Sequence, residues 1–179
     1  GLENAHETID KEWLRDFINE RIEKFDIRDY QLNAVHAALE NKKGILLSCT
    51  GSGKSLMIYS IIRYLLEVKH LKKLCLIVPN KGLVNQMYND FIDYGWNDIE
   101  QYCERLHSEV KPTYKVPVLI STWQSLQMKH QSFFENYDCV IVDECQGTKA
   151  NVLRKLVKSA YNSEATPTWS ENSAVTVTS

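Results

Sequence analysis

Apolar residues along the chain fall into two periodicities, and the switch between them marks the elements. Trp13, Phe17, Ile18, Ile22 and Phe25 recur at helical spacing and predict an amphipathic helix over roughly 10–25. A second helix is predicted from Tyr30 to about Glu40, with Leu32, Val35, Ala38 and Leu39 on one side. Beyond it, short and nearly continuous apolar runs alternate with helical segments. The runs at 44–48, 74–78, 116–121 and 138–142 read as strands buried on both faces. Helices are predicted over 54–68, 82–94, 122–128 and 149–159, and an additional strand over 99–103. This alternation predicts an α/β fold, a mostly parallel sheet with helices on both faces and a helical extension before it.

The pattern divides the chain into a helical extension (1–27), a strand–helix domain (28–160) and a polar tail (161–179). In the tail Trp169, Ala174, Val175 and Val177 are scattered apolar residues among a majority of Asn, Ser, Thr, Glu and Pro. This composition favours poor order, with a last strand at 174–178 as the alternative.

Composition narrows the class only a little. A length of 179 residues suits one well-buried domain. A balance of 21 basic against 23 acidic residues excludes a binder held to nucleic acid by bulk charge, though not a local basic groove. The charge is uneven. Residues 1–30 hold nine acids and five bases, a net of −4, which leaves 14 acids and 16 bases, a net of +2, for the rest. Arg63, Lys69, Lys72, Lys73 and Lys81 oppose only Glu67 over 63–81, and Lys149, Arg154, Lys155 and Lys158 face no acid between 147 and 163. These segments could line a modest groove, or be solvated helix ends.

The five cysteines form no C-x-x-C pair, and Cys75 and Cys139 lie within apolar runs. Reduced, buried thiols in a cytoplasmic setting explain them better than disulfides or a metal set built on Cys139 and Cys145. The longest apolar runs are too short for a bilayer, and the acidic start has no signal-peptide pattern. No membrane partner is expected. Gly1 in place of Met points to a processed start or a tag remnant, with the gene extending upstream.

The densest chemical signal is Ser48-Cys49-Thr50-Gly51-Ser52-Gly53-Lys54-Ser55, between a predicted strand and a predicted helix. Gly51 and Gly53 let the backbone curl so that successive N–H groups point inward, and the helix adds its positive end. Thr50, Gly51, Ser52 and Gly53 would cradle phosphates, Lys54 would reach the β- and γ-phosphates of ATP, and Ser55 would hold Mg²⁺. Ser48 stands where the strict pattern has its first glycine. The second signal is Asp143-Glu144-Cys145-Gln146 after the run at 138–142. Two carboxylates at the carboxyl end of a buried parallel strand lie where such sheets bind ligands. Asp143 would hold Mg²⁺ opposite Ser55, and Glu144 would polarise the attacking water.

These segments resemble the first RecA-like domain of superfamily 2 helicases and translocases. The similarity is greatest to UvsW-type phage recombination helicases, with kinship to the motor subunits of restriction enzymes. It covers about Arg28 to Lys158. Arg28-Asp29-Tyr30-Gln31 resembles the adenine-reading element, with Gln31 on the base edge and Tyr30 or Arg28 over the ring. Pro79-Asn80-Lys81-Gly82 resembles the first strand-contacting motif, with Asn80 in place of threonine. Asn80 as a plain helix cap explains its position equally well. Thr122-Trp123-Gln124 resembles the later strand-contacting element, where Thr122 would cap its helix and Trp123 is expected to pack rather than stack on a base.

The resemblance implies ATP and Mg²⁺ as cofactors, DNA as partner and a bacterial or phage-infected cytoplasm. Gln146 stands where the relatives carry a relaying histidine. An amide hydrogen-bonds but does not titrate near neutral pH, so altered coupling is expected. A second RecA-like domain with its arginine finger does not fit in this length, so weak ATP–Mg²⁺ binding, slow hydrolysis and no unwinding are expected of the chain alone. A non-catalytic nucleotide-binding module and, further off, a small-molecule kinase are the alternatives.

Overall fold

A computed structural model of the chain describes residues 8–40, 46–48, 53–127, 129, 133, 136–144 and 174–178. In chain order these form α1 (Lys11–Asn19), α2 (Asp29–Glu40), β1 (Leu46–Ser48), α3 (Lys54–Glu67), β2 (Leu74–Val78), α4 (Lys81–Tyr94), β3 (Cys103–Leu106), β4 (Val118–Thr122), α5 (Trp123–Gln127), β5 (Cys139–Glu144) and β6 (Ala174–Thr178). The strands make one sheet in the order β1-β6-β5-β2-β4-β3, and every pairing in it is parallel. This is the RecA-like α/β architecture of a P-loop NTPase core.

Alternation along the central strands sorts their side chains into two layers. Leu74, Leu76, Val78, Val118, Ile120, Cys139 and Ile141 face a core shared with α1 to α4. Cys75, Ile77, Leu119, Val140 and Val142 face the other side, where Leu106, Leu126 and Tyr137 cover them. All five residues of β2 and of β4 are buried, as the unbroken apolar runs require. Each buried Leu, Ile or Val contributes about 1.5–3 kcal/mol. The extension is built into this core, because Leu14, Phe17, Ile18 and Ile22 share it with Ile58, Ile61 and Ile62 of α3.

Several predicted boundaries move, each for a local reason. The first helix, predicted to 25, ends at Asn19. The Asn19 side chain accepts a hydrogen bond from the Ile27 amide at 2.8 Å, which turns the chain back, and Phe25 is left exposed. The strand predicted at 116–121 begins at Val118, because Pro117 has no N–H for the ladder. At 99–103 a 3-10 turn (Ile99–Gln101) comes first, and β3 starts only at Cys103. The run predicted at 138–142 extends as β5 to include Asp143 and Glu144. The Asp138 side chain instead accepts bonds from the Lys72 and Lys73 amides, fixing the turn into β2.

In the tail, residues 174–178, the strand offered as the alternative to poor order, form β6 between β1 and β5. Their β-branched content, Val-Thr-Val-Thr, suits a strand paired on both edges. The predicted helix at 149–159 and the rest of the tail lie outside the described residues.

Candidate nucleotide site at the carboxyl edge of the sheet

Parallel register brings the chemical motifs to one edge. Ser48 ends β1 beside Thr178, and Thr178 pairs with Glu144 of β5. Ile77 pairs with Val142, so Asp143, paired with Val177 on its other edge, comes level with Val78 at the strand end. Val78 in turn pairs with Thr122. The segment before α3, the acidic pair, Pro79-Asn80-Lys81-Gly82 and Trp123-Gln124 therefore all emerge at the carboxyl ends of the strands, where sheets of this kind bind ligands.

At the start of α3 the Lys54 ammonium is ion-paired with the Asp143 carboxylate, linking the two strongest sequence signals. Asp143 is 6% exposed. Burial pushes its carboxyl above the usual range, and the hydrogen bond and charge of Lys54 only partly oppose that. Gly53 is closely covered by α2. A side-chain carbon there would lie 2.5 Å from the Gln31 amide nitrogen and 3.0 Å from the Tyr30 hydroxyl. Gln31 is buried, and its carbonyl oxygen accepts a bond from the Arg28 amide at 3.0 Å. Tyr30 and Arg28 are exposed beside it. Glycine is needed at position 53 because the adenine-reading candidates approach the backbone there.

The strand-contacting candidates are anchored in the fold. Asn80 caps α4 by accepting a bond from the Leu83 amide at 2.9 Å. Lys81 is paired with Glu109 at 2.6 Å, and Gly82 and Gln124 are exposed. Thr122 accepts a bond from the Ser125 amide at 3.2 Å and so caps α5. Trp123 is half-buried and packs on the second core layer. Pro79 is half-buried at the turn out of β2. Of the basic stretch, Arg63 is withdrawn from any groove. It pairs with Glu67 and lies over the Trp96 ring at 4.8 Å. Lys73 donates to the Tyr114 carbonyl at 2.7 Å.

Cys75, Cys103 and Cys139 are buried and not joined in disulfides, and burial pushes all three thiols up. Among the described residues no group of His, Cys, Asp and Glu could hold a metal, and no helix is long and apolar enough to cross a membrane. Cys49, Thr50, Gly51, Ser52, Cys145, Gln146, Lys149, Arg154, Lys155, Lys158 and the Glu144 side chain lie outside the described residues. A cavity of about 440 Å³, lined by residues including Lys73, Tyr114 and Tyr137, sits at the amino ends of β2 and β5, away from this edge.

Sequence reasoning missed the partner of Ser55. Its hydroxyl is 2.5 Å from the Tyr94 hydroxyl on α4. A separation of 39 residues gives no spacing signal for such a contact. Glu109, the partner of Lys81, was missed for the same reason.

Fold and site define a superfamily 2 helicase-like domain of the RecA fold, closely related to UvsW-type phage helicases. The chain belongs to the family described as the type III restriction enzyme res subunit, whose profile matches residues 24–167. It is 30% identical over 136 residues to the ATP-dependent DNA helicase uvsW of Enterobacteria phage T4, covering 74% of this chain and 27% of that protein. It is 24% identical over 166 residues to the type I restriction enzyme SsaAORF53P endonuclease subunit of Staphylococcus saprophyticus, covering 82% of this chain and 18% of the relative. The crystal structure of the UvsW helicase from bacteriophage T4 superposes with a TM-score of 0.76 at 22% identity, covering 97% of this chain and 61% of that one. The chain thus spans about a quarter or less of the curated relatives it matches.

Proposed function

We propose that this chain is the ATP-binding lobe of an ATP-dependent DNA helicase or translocase acting in the cytoplasm of a bacterial or phage-infected cell. The observation that carries the reading is the Lys54–Asp143 pair at the carboxyl edge, with Gln31 and Tyr30 closing over Gly53. A buried carboxylate held by the lysine of a glycine-rich turn fits a site for Mg²⁺ and phosphate, because each group is already matched to an opposite charge.

In this reading Thr50, Gly51, Ser52 and Gly53 surround the phosphates, and Lys54 moves from Asp143 to the β- and γ-phosphates. Gln31 reads the adenine edge, with Tyr30 or Arg28 over the ring. Ser55 and Asp143 hold the cation, and Glu144 takes a proton from the attacking water. Bound Mg²⁺ neutralises charge that develops on the transferring phosphoryl group. Pro79, Asn80, Lys81, Gly82, Thr122, Trp123 and Gln124 lie along the edge that a DNA strand would follow, and Gln146 relays between the two sites. A second RecA-like domain in cis would supply the arginine finger, worth on the order of 10³–10⁵ in rate. The phage T4 relative, of which the match covers only 27%, is between two and three times as long as this chain, and that supports the arrangement.

The second reading, a nucleotide-binding module that does not hydrolyse, is favoured by Gln146 in place of histidine. ATPase assays of the longer protein with and without single-stranded DNA separate the two. DNA-stimulated hydrolysis that is lost in Glu144→Gln supports the motor. Absence of hydrolysis, with Glu144→Gln indistinguishable from the parent, supports the module.

A further inference from the structure

We infer that Tyr94 is a positioning residue that holds the Ser55 hydroxyl against α4 and competes with a cation for its oxygen. The inference rests on the nucleotide reading above and adds to it a control on the cation ligand. The Ser55 hydroxyl is bonded to Tyr94 of α4, whereas Asp143 is satisfied by Lys54. The two residues assigned to one cation are therefore each turned to a different internal partner.

A serine hydroxyl has one proton and two lone pairs, and either hydroxyl of the Ser55–Tyr94 pair can donate. Where the Tyr94 phenol donates, it occupies one Ser55 lone pair and draws electron density from the oxygen that a cation would need. Tyr94 is not free to swing aside. Its ring lies 5.2 Å from Tyr59 and 6.0 Å from Phe25, and its carbonyl accepts from the Glu23 amide at 3.0 Å. The position of the Ser55 oxygen is thus set by the last turn of α4. The first turn of that same helix carries Asn80 and Lys81.

The test is a Mg²⁺ titration of the chain in the presence of a fluorescent ATP analogue, comparing the parent with Tyr94→Phe. The phenyl ring keeps the aromatic packing and loses only the hydroxyl. The expected result is a Mg²⁺ half-saturation lowered about three- to tenfold, the scale of one hydrogen bond. Binding of the analogue in EDTA should be unchanged, and the cation-free melting temperature should fall by no more than the worth of that one bond. In a Ser55→Ala background Tyr94→Phe should have no effect on the Mg²⁺ requirement, which a merely structural role for Tyr94 would not produce. Should Tyr94→Phe fail to fold, Tyr94→Leu removes the same hydroxyl and should shift the Mg²⁺ requirement the same way. An unchanged or higher Mg²⁺ requirement in Tyr94→Phe, or an equal shift without the Ser55 hydroxyl, overturns the inference while leaving the nucleotide site standing. Absence of Mg²⁺-dependent binding in the parent overturns both.

Discussion

At the scale of single residues, the tightest constraint is at Gly53. Any side chain there meets the Gln31 amide at 2.5 Å. Gln31 cannot simply withdraw, because it is buried and bonded to the Arg28 backbone. Gly53→Ala is expected to cost about 1–3 kcal/mol of stability, the usual scale of overpacking. ATP affinity should fall with it. Thermal melts check the first effect and nucleotide titration the second. Gln31→Ala in the same chain should recover part of the stability, since it removes the group that clashes. If Gly53→Ala melts with the parent, the close approach of α2 is wrong. The glycine, the lysine and the acidic pair were legible in sequence because their chemistry requires fixed spacing next to a strand. Tyr94 and Glu109 were not, because a contact across 39 or 28 residues depends on how α4 and the turn after β3 pack.

Elements show which roles a residue already has in the fold. Asn80 is the cap of α4, so Asn80→Ala should lose about 1 kcal/mol whatever else it does. Asn80→Asp keeps a capping oxygen but places a negative charge beside any bound phosphate. It should melt like the parent and bind single-stranded DNA more weakly, with a difference that shrinks as salt rises. Equal DNA binding by parent and Asn80→Asp would leave Asn80 as a cap alone.

The end of α3 offers a pH test. Glu67 takes hydrogen bonds from Arg21, at the turn after α1, and from Arg63. Burial pushes the Glu67 carboxyl up, but the two guanidinium bonds outweigh it and hold it below its ordinary value of 4.5. A depressed carboxyl stabilises the fold above pH 4.5 and loses that contribution as pH falls through the lower folded value. With the side chain 36% exposed, solvent screening limits the effect, and Glu67→Gln should cost about 0.5–1 kcal/mol at pH 7. Denaturation of parent and variant should therefore converge as pH falls below 4.5. A cost that persists undiminished in acid would assign Glu67 to packing instead. The helices themselves were legible from apolar spacing. The early stop of α1 was not, because it depends on one Asn19 side chain reaching Ile27.

For the whole molecule, strand order does the functional work. β1 and β2 are held apart by β6 and β5, and β6 lies between the strand that leads to the glycine-rich turn and the strand that ends in the acidic pair. That order brings residues 54 and 143 into contact across 89 positions of sequence. The α/β class and parallel sheet were readable from alternating apolar runs. The place of β6 was not, since its polar threonines disguise a strand that only two neighbouring backbones make favourable.

The central claim is that this edge binds ATP with Mg²⁺ through Lys54. Isothermal titration calorimetry of the chain with ATP, in Mg²⁺, tests it most directly when the parent is compared with Lys54→Ala. The account predicts saturable binding by the parent and its loss in Lys54→Ala, with both proteins folded by circular dichroism. Binding that survives unchanged in Lys54→Ala, or a folded parent that takes up no ATP, would contradict it.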